Sequence, residues 1–328
     1  MEPATDRRSA ARQADRPMAP ELVARLRKQY EGLISDLLGE GLTDAGYAVA
    51  DTAVAQGLWP ERLHRPIELH PTTQSRPFLD PADFWFTSHL ERHWDLIRAE
   101  IDAIEEPARA GFSTAGMDGS SVRGGRWHQL MLWDRGRRFE RACGLLPGTA
   151  EVLSAIPDVT AQGTGFVMVS WLEPGTWIAP HCGPTNVKAR THFCVRGDAR
   201  ARIRVGDQVR GWDEGRCFVF DDSYEHEVWH DGEVPRVVLI LDAPNPYLVD
   251  GERVVRQEQA NRADEMLTFM TAMRLRRITR VGADVKVTFA PSMVEFIRSY
   301  LETRQLESVE LRQGVLRVRA VATPGGEG

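Results

Sequence analysis

Apolar residues in the first third of the chain recur at the spacing of an amphipathic helix. In residues 20–38 they lie three or four positions apart, which places them on one helical face. Similar stretches cover residues 44–59 and 86–105. The first two are predicted to form an antiparallel helix pair packed on the main domain. The first stripe consists of Leu22, Leu26, Tyr30 and Leu33.

From Trp127 onward the pattern changes to short segments with a period of two. Apolar residues and arginines alternate strictly over 201–205, as in a strand with one buried face. Residues 236–243 form a mostly apolar, β-branched run, which is typical of a strand covered on both faces. Turn residues such as Pro174 and Gly175 separate these segments. We therefore predict a mainly β sandwich, jelly roll or barrel with flanking helices.

Composition divides the chain into four parts. Residues 1–19 are charged and rich in Ala and Pro, which predicts a disordered N-terminus. Residues 20–69 hold the N-terminal helices, and residues 70–248 hold the β domain. Residues 249–328 are patterned separately: a polar amphipathic helix over 253–278 is expected to precede a small strand–helix–strand unit.

Charge and composition exclude several classes of protein. The 328 residues carry a net charge of −6, which gives no sign of nucleic-acid binding. No run of 18 or more apolar residues and no signal-peptide pattern is present, so we expect a cytoplasmic protein that does not bind membranes. The four cysteines form no C-x-x-C pair and are expected to be free thiols. The oligomeric state is left open.

Two histidines occupy positions suited to metal ligands. His181 and His226 each follow a predicted strand and stand beside polar residues and turns. Imidazole binds Fe, Zn, Cu and Ni, so the histidines alone do not select the metal. Many non-haem iron sites add a carboxylate two residues after the first histidine, but Gly183 stands there. Water could fill that position, or a nearby acid could do so, the candidates being Asp221, Asp222 and Glu225.

A further pair, His89 and His93, is spaced i, i+4 on a predicted helix. This spacing could bind a metal, but no third ligand stands nearby in sequence, so we expect packed or exposed side chains.

Arg236 begins the predicted buried strand. A buried guanidinium needs an anion, since an unpaired buried charge is costly. A dicarboxylate co-substrate could supply it in bidentate geometry. An internal salt bridge is the other possibility, and its candidate acids are Asp221, Asp222 and Asp242.

The sequence closely resembles the aspartyl/asparaginyl β-hydroxylase family of 2-oxoglutarate-dependent oxygenases. The strings "HCGPTNVKARTH", "FDDSYEHEVW" and "RVVLILD" carry the resemblance, which extends over about residues 70–248. It implies a double-stranded β-helix (a jelly-roll, cupin-like core). It also implies Fe(II) held by His181 and His226 without a carboxylate ligand, so Gly183 fits the family.

The same resemblance assigns roles to further residues. Arg236 is expected to bind the distal carboxylate of 2-oxoglutarate, helped by Ser170, Arg190 and His192. Lys188 stands where the best-known members have an arginine that contacts the substrate carboxylate; lysine keeps the charge and loses the planar fork. Further substrate residues are expected at Arg123, Arg126 and Trp127.

The predicted function is an Fe(II)/2-oxoglutarate-dependent dioxygenase that uses O2 to hydroxylate an unactivated C–H bond. The resemblance favours Cβ of an aspartyl, asparaginyl or related carboxylate-bearing unit, whether free, carrier-bound or peptidyl. Three alternatives stay open: a non-catalytic jelly roll that binds metal or 2-oxoglutarate, a lipid hydroxylase, and a halogenase with chloride in the vacant ligand position.

Overall fold

A computed structural model of the chain describes residues 18–115, 122–161 and 165–256, together with the backbone of four strands between 277 and 320. The predicted disordered segment 1–19 lies almost wholly outside the described residues.

The predicted N-terminal helix pair is present as α1 (Pro20–Gly39) and α2 (Thr43–Ala55). Its buried stripe differs from the prediction by one position. Leu33 is exposed, whereas Ile34 and Leu38 are buried against the second helix and the segment that follows it. Tertiary packing selects between adjacent apolar residues that helical spacing alone ranks equally.

The predicted helix over 86–105 is two helices, α3 (Phe86–Arg92) and α4 (Trp94–Asp102), interrupted at His93. Both histidines pack locally: His89 contacts the carbonyl of Val152 at 3.2 Å, and His93 donates to the carbonyl of His89 at 2.8 Å. Four shorter helices follow: α5 (Pro107–Ala110), α6 (Glu140–Leu145), α7 (Pro147–Ser154) and α8 (Pro157–Thr160).

Two antiparallel sheets make up the β domain. Five strands precede the jelly-roll core in the chain and extend its sheets: β1 (Phe78–Leu79), β2 (Ser113–Ala115), β3 (Val122–Arg123), β4 (Trp127–Asp134) and β5 (Arg137–Arg138). The eight core strands are β6 (Phe166–Leu172), β7 (Thr176–His181), β8 (Lys188–Arg196), β9 (Ala201–Val205), β10 (Gln208–Arg210), β11 (Cys217–Phe220), β12 (His226–His230) and β13 (Arg236–Pro244).

The connections between these strands identify the fold. The larger sheet contains the order β11-β8-β13-β6, extended by β4 and β2, and the smaller contains β10-β9-β12-β7-β3. Apart from the paired strands β9 and β10, successive core strands alternate between the two sheets. Apolar side chains from both sheets pack between them. This is a double-stranded β-helix, so the predicted jelly-roll core with flanking helices is confirmed.

Burial follows the alternation read from the sequence. Strand β9 alternates buried and partly exposed residues, and β13 is buried along almost its whole length because it has sheet neighbours on both sides and packing on both faces. A second apolar cluster lies between the larger sheet and helices α3 to α8.

The C-terminal part contains four described strands: β14 (Arg277–Val281), β15 (Asp284–Thr288), β16 (Leu306–Arg312) and β17 (Val315–Ala320). They form an antiparallel sheet in the order β14-β15-β17-β16. The predicted helix over 253–278 ends too late, because strand begins at 277. Its middle, and the predicted helix between β15 and β16, lie outside the described residues. Among the described helices, none combines the length and apolar character needed to cross a membrane.

Candidate active site

The two predicted metal ligands meet inside the jelly roll. His181 is the last residue of β7 and His226 is the first of β12, and the two are paired across these antiparallel strands. Their ring centroids are 4.2 Å apart. A 45-residue separation in sequence is therefore closed by the crossover of the fold.

Local hydrogen bonds orient both rings. The Nδ1 atom of His181 bonds the carbonyl of Ala179 at 2.8 Å, and Nδ1 of His226 bonds the carbonyl of Tyr224 at 2.9 Å. A carbonyl can only accept, so each Nδ1 carries the proton and each Nε2 keeps a lone pair. Burial lowers the pKa of both imidazoles, most strongly for His226. Two neutral rings with fixed tautomers have the donor chemistry that a divalent metal requires.

The geometry explains Gly183. A Cβ at this position would lie 2.6 Å from Cγ of Asp222, which is too close for any side chain. The backbone N–H of Gly183 also donates to the carbonyl of Asp222 at 2.6 Å. The carboxylate of Asp222 therefore fills the space in which an acid at 183 would begin.

The three acids considered as a replacement ligand are engaged elsewhere. Asp221 accepts from the backbone and side chain of Ser223, and Glu225 pairs with Arg65. Asp222 pairs with cations through Oδ2, while its buried Oδ1 lacks a hydrogen-bond partner among the described residues. The described part of the chain contains no cluster of three or more His, Cys, Asp or Glu residues that could hold a metal. Among the described residues, the two histidines therefore stay the predicted metal ligands.

Arg236 lies deep between the sheets, and none of the described residues pairs an acid with it. It is 1% exposed, and its Nη2 lies 3.5 Å from Oγ of Ser170, which also accepts from Nε1 of Trp127 at 2.9 Å. Its Nε and Nη1 lack partners among the described residues. Burial lowers the pKa of Arg236 to about 10. A buried guanidinium with two unused donors fits a carboxylate ligand.

His192 lies between the histidine pair and Arg236. It faces Phe220, which in turn contacts His226. On its other side it stacks on Trp212, whose ring lies 4.7 Å from the Arg236 guanidinium. The Trp212 indole donates to Nδ1 of His192 at 3.3 Å, which leaves Nε2–H as a donor. Burial lowers the pKa of His192 well below its usual value. A row of contacting side chains thus connects the two ends of the site.

Lys188 and Arg190 lie in a buried cluster with two acids. Lys188 Nζ lies 3.2 Å from Asp222 and 2.7 Å from Asp242. Arg190 contacts the same carboxylates at 2.9 and 2.8 Å, and its guanidinium lies 4.8 Å from the Phe166 ring. Burial alone would raise the pKa of Asp242, but the two cations hold it well below its usual range. Both predicted binding residues therefore already carry partners of opposite charge.

The other predicted substrate residues are placed differently. Arg123 pairs with Glu40, the residue after α1, at 3.2 Å. Arg126 is exposed, and its backbone N–H donates to Oγ1 of Thr176 at 2.9 Å. Trp127 contacts Ser170, at the Arg236 end of the site. The three side chains therefore have different partners, and their substrate roles stay predictions.

Two features of the site were missed in the sequence. Asp242 was considered as a partner for Arg236, but it pairs with Lys188 and Arg190 instead. Trp212 was not singled out. Alternation along β13 places Arg236 and Asp242 on one face, so the strand pattern could have indicated that Asp242 faces the site. Trp212 lies outside any strand, so no pattern indicated its position.

Comparison with known proteins agrees with this geometry. Residues 91–246 match the model of the Aspartyl/Asparaginyl beta-hydroxylase family. This part of the chain is similar to that family. The match includes all eight core strands and every predicted site residue.

Curated relatives of the family carry hydroxylase names. The human aspartyl/asparaginyl beta-hydroxylase is 36% identical over 184 residues, covering 55% of this chain and 24% of that protein. The human aspartate beta-hydroxylase domain-containing protein 2 is 31% identical, covering 50% and 46%. The ornithine lipid ester-linked acyl 2-hydroxylase of Rhizobium tropici is 32% identical, covering 52% and 61%. The chain therefore spans between a quarter and three fifths of these relatives, and their names support an oxygenase enzyme.

Among solved structures, a Pseudomonas putida prolyl-4-hydroxylase matches 61% of this chain and 98% of its own, at 16% identity and a TM-score of 0.30.

Proposed function

We propose that this chain is an Fe(II)/2-oxoglutarate-dependent dioxygenase that hydroxylates an unactivated C–H bond. The supporting observation is that one buried site has a candidate metal-binding end and a candidate carboxylate-binding end. Two neutral imidazoles with free Nε2 atoms stand at one end, and a buried arginine without an acid stands at the other. Neither end is complete within the described protein residues, and a metal with a chelating dicarboxylate would complete both.

Each residue has a defined task in this proposal. His181 and His226 would hold iron, and Arg236 with Ser170 would bind the distal carboxylate of 2-oxoglutarate. His192 would donate Nε2–H toward the co-substrate between them. When bound, iron, 2-oxoglutarate and O2 supply the oxidant, converting R–H to R–OH with release of succinate and CO2. The apolar walls around the site exclude water and position the reacting carbon.

The position left by Gly183 would be filled by water or another exogenous ligand. The unused Oδ1 of Asp222 lies on this side of the site and could accept a hydrogen bond from such a ligand. Chloride there would lead to halogenation, so the product mass distinguishes an added oxygen from an added chlorine.

The favoured substrate is a carboxylate-bearing unit, such as an aspartyl or asparaginyl residue, free, carrier-bound or peptidyl. Lys188 is a buried cation paired with Asp222 and Asp242, and a substrate carboxylate would replace one of these acids. We propose a cytoplasmic location for the protein.

The test is succinate formation by the full chain with Fe(II), 2-oxoglutarate and O2 across a panel of amino acids and peptides. His181→Ala should abolish turnover, whereas His89→Ala, which removes a helix histidine outside the site, should retain it. Full turnover by His181→Ala would show that the ligand assignment is wrong. Tight binding of 2-oxoglutarate without O2 consumption on any substrate would instead favour a non-catalytic binding module.

A lipid acyl chain is a second candidate substrate, because the Rhizobium tropici relative is named as an acyl 2-hydroxylase and is 32% identical. Ornithine lipids and fatty acyl esters therefore belong in the same panel. Turnover of these alone would replace the aspartyl assignment while leaving the iron and 2-oxoglutarate chemistry in place.

A further inference from the structure

A segment outside the residues matched by the family lies across both loops that lead to the histidine pair. We call residues 61–73 the strap. The first loop, residues 182–187, follows His181 and precedes β8; the second, residues 221–225, follows β11 and precedes His226. We call these two the ligand loops.

Backbone hydrogen bonds join the strap to each ligand loop. The N–H of Glu225 donates to the carbonyl of Leu63 at 2.7 Å, and the N–H of Glu68 donates to the carbonyl of Pro184 at 2.9 Å. Side chains add further bonds. His70 exchanges two hydrogen bonds with Asn186, His64 bonds Oγ of Ser223 at 2.8 Å, and His64 stacks on Tyr224 at 4.1 Å.

Arg65 is the centre of this arrangement. Its side chain is 0% exposed, and it bridges two acids: Nε lies 2.7 Å from Glu31 of α1, and Nη1 lies 2.8 Å from Glu225. The other carboxylate oxygen of Glu31 accepts the backbone N–H of Cys182 at 3.2 Å. One chain of contacts therefore joins the residue after His181 to the residue before His226.

The acids at both ends are buried, so the arrangement is sensitive to small changes. Removing one partner of a buried ion pair leaves an uncompensated charge. Arginine also holds two carboxylates in fixed directions, which lysine cannot reproduce. A two-ligand metal site depends strongly on the spacing of its ligands, and residues that orient ligands commonly change metal affinity.

We propose that the strap and α1 act as a clamp that sets the separation of His181 and His226 and thereby the metal affinity of the site, with Arg65 and Glu31 as positioning residues. The inference rests on the metal site of the proposed function. It extends the functional unit beyond residues 91–246, because the clamp comes from the N-terminal part of the chain.

The experiment uses the full chain, without O2, and Co(II) as the metal probe. Glu31→Gln keeps the size of the side chain and removes its charge; Arg65→Lys keeps the charge and removes the fork. Arg62→Gln is the matched control, because Arg62 lies in the same strap but forms an exposed ion pair with Asp51. Calorimetry measures Co(II) affinity, and hydrogen exchange measures protection of the Gly183 amide, which bonds the carbonyl of Asp222 between the two ligand loops.

We expect Glu31→Gln and Arg65→Lys each to weaken Co(II) binding by about 10-fold, the lower end for residues that orient ligands. The Gly183 amide should exchange faster in both, and the control should match the wild type in both measurements. If Arg65→Lys fails to fold, Glu31→Gln decides. Wild-type Co(II) affinity and wild-type Gly183 protection in a folded Glu31→Gln would overturn the clamp.

The two proposals fail in different ways. Failure of the wild type to bind Co(II), or binding by His181→Ala equal to wild type, would overturn the proposed metal site and with it the effect of the clamp on metal affinity. Unchanged variants on a wild type that binds Co(II) would overturn the clamp alone. The hydrogen-exchange measurement needs no metal and decides in either case whether the strap holds the ligand loops together.

Discussion

Arg65 and Arg236 are buried equally deeply, but only Arg65 has acidic partners among the described residues. Arg65 is bridged by Glu31 and Glu225, whereas Arg236 has no acid and leaves two donors without partners among the described residues. Burial alone would lower the pKa of Arg65, but the neighbouring acids Glu31 and Glu225 raise it. Burial lowers the pKa of Arg236 to about 10.

The presence or absence of acidic partners distinguishes an arginine with a structural role from one suited to bind a ligand. Arg65 has partners in α1, in the strap and in the second ligand loop, so it holds these three segments together. A buried charge without a partner destabilises the fold, and a ligand of opposite charge can offset this loss when it binds. Arg190 is intermediate, since it is predicted to bind co-substrate yet is already paired with Asp222 and Asp242.

The largest expected effect on stability comes from Arg65→Met. Removing this cation leaves Glu31 buried without its ion pair and leaves Glu225 with Arg204 as its cation. The free energy of unfolding should therefore fall by about 3–5 kcal/mol. Denaturant unfolding of the full chain measures it. Arg62→Met, which breaks the exposed pair with Asp51, should lose less than about 1 kcal/mol. Equal losses in the two variants would contradict a structural role for Arg65.

Arg236→Met should have the opposite sign. Without ligand, replacing an unpaired buried cation by an apolar side chain of similar length should raise the free energy of unfolding by roughly 1–3 kcal/mol. The same unfolding experiment, in the absence of metal and 2-oxoglutarate, checks this. A loss of several kcal/mol would indicate that Arg236 has a structural partner, as Arg65 does.

The strap also contains a buried group that titrates. Burial lowers the pKa of His64 from 6.5 to about 4, with Glu61 and Asp221 at 4.0 and 3.9 Å as the nearest acids. As the pH falls below 6.5, His64 is protonated in the unfolded chain before it is protonated in the folded one. The stability that neutral His64 allows is therefore present above pH 6.5 and is lost as the pH falls toward 4.

The expected loss from His64 is about 3 kcal/mol, the pKa shift converted at about 1.4 kcal/mol per unit. Subtracting the pH profile of His64→Gln from that of the wild type isolates it, because other buried histidines and Asp221 contribute to both profiles. Identical profiles for the two proteins would show that His64 does not titrate in this range.

The smallest stability effect is expected for Lys188→Arg. Arginine keeps the positive charge between Asp222 and Asp242 but adds atoms at a buried position, so the free energy of unfolding should fall by about 1 kcal/mol. The substrate KM should nevertheless shift several-fold while the KM for 2-oxoglutarate stays constant, because the planar fork meets a carboxylate differently. An unchanged substrate KM would remove Lys188 from the substrate site.

Sequence patterns predicted the features that depend on local periodicity. The alternation over 201–205 gave the two faces of β9, and the run after Arg236 gave a strand buried on both sides. The placement of His181 and His226 near one another followed from the expectation that a β fold brings two strand ends together, and the resemblance to a known family supplied their roles.

What escaped prediction depends on contacts between distant segments. Arg65 stands in a proline-rich stretch with no periodicity, so nothing local indicated that it would be fully buried between two acids. Leu33 and Ile34 are equally apolar neighbours, and only packing decides which is buried. Asp242 could have paired with any cation on its face of the sheet, and the register of β8 against β13 selects Arg190 and Lys188.

The most direct test of the central claim compares 2-oxoglutarate binding by the wild type and Arg236→Met, without O2 and with Co(II) present. At 100 times Kd, the ligand should stabilise the wild type by about 2.7 kcal/mol, seen as a rise in Tm. Arg236→Met should bind Co(II) like the wild type and show no such rise. Equal stabilisation of both proteins by 2-oxoglutarate would contradict the assignment of Arg236 and the co-substrate site built on it.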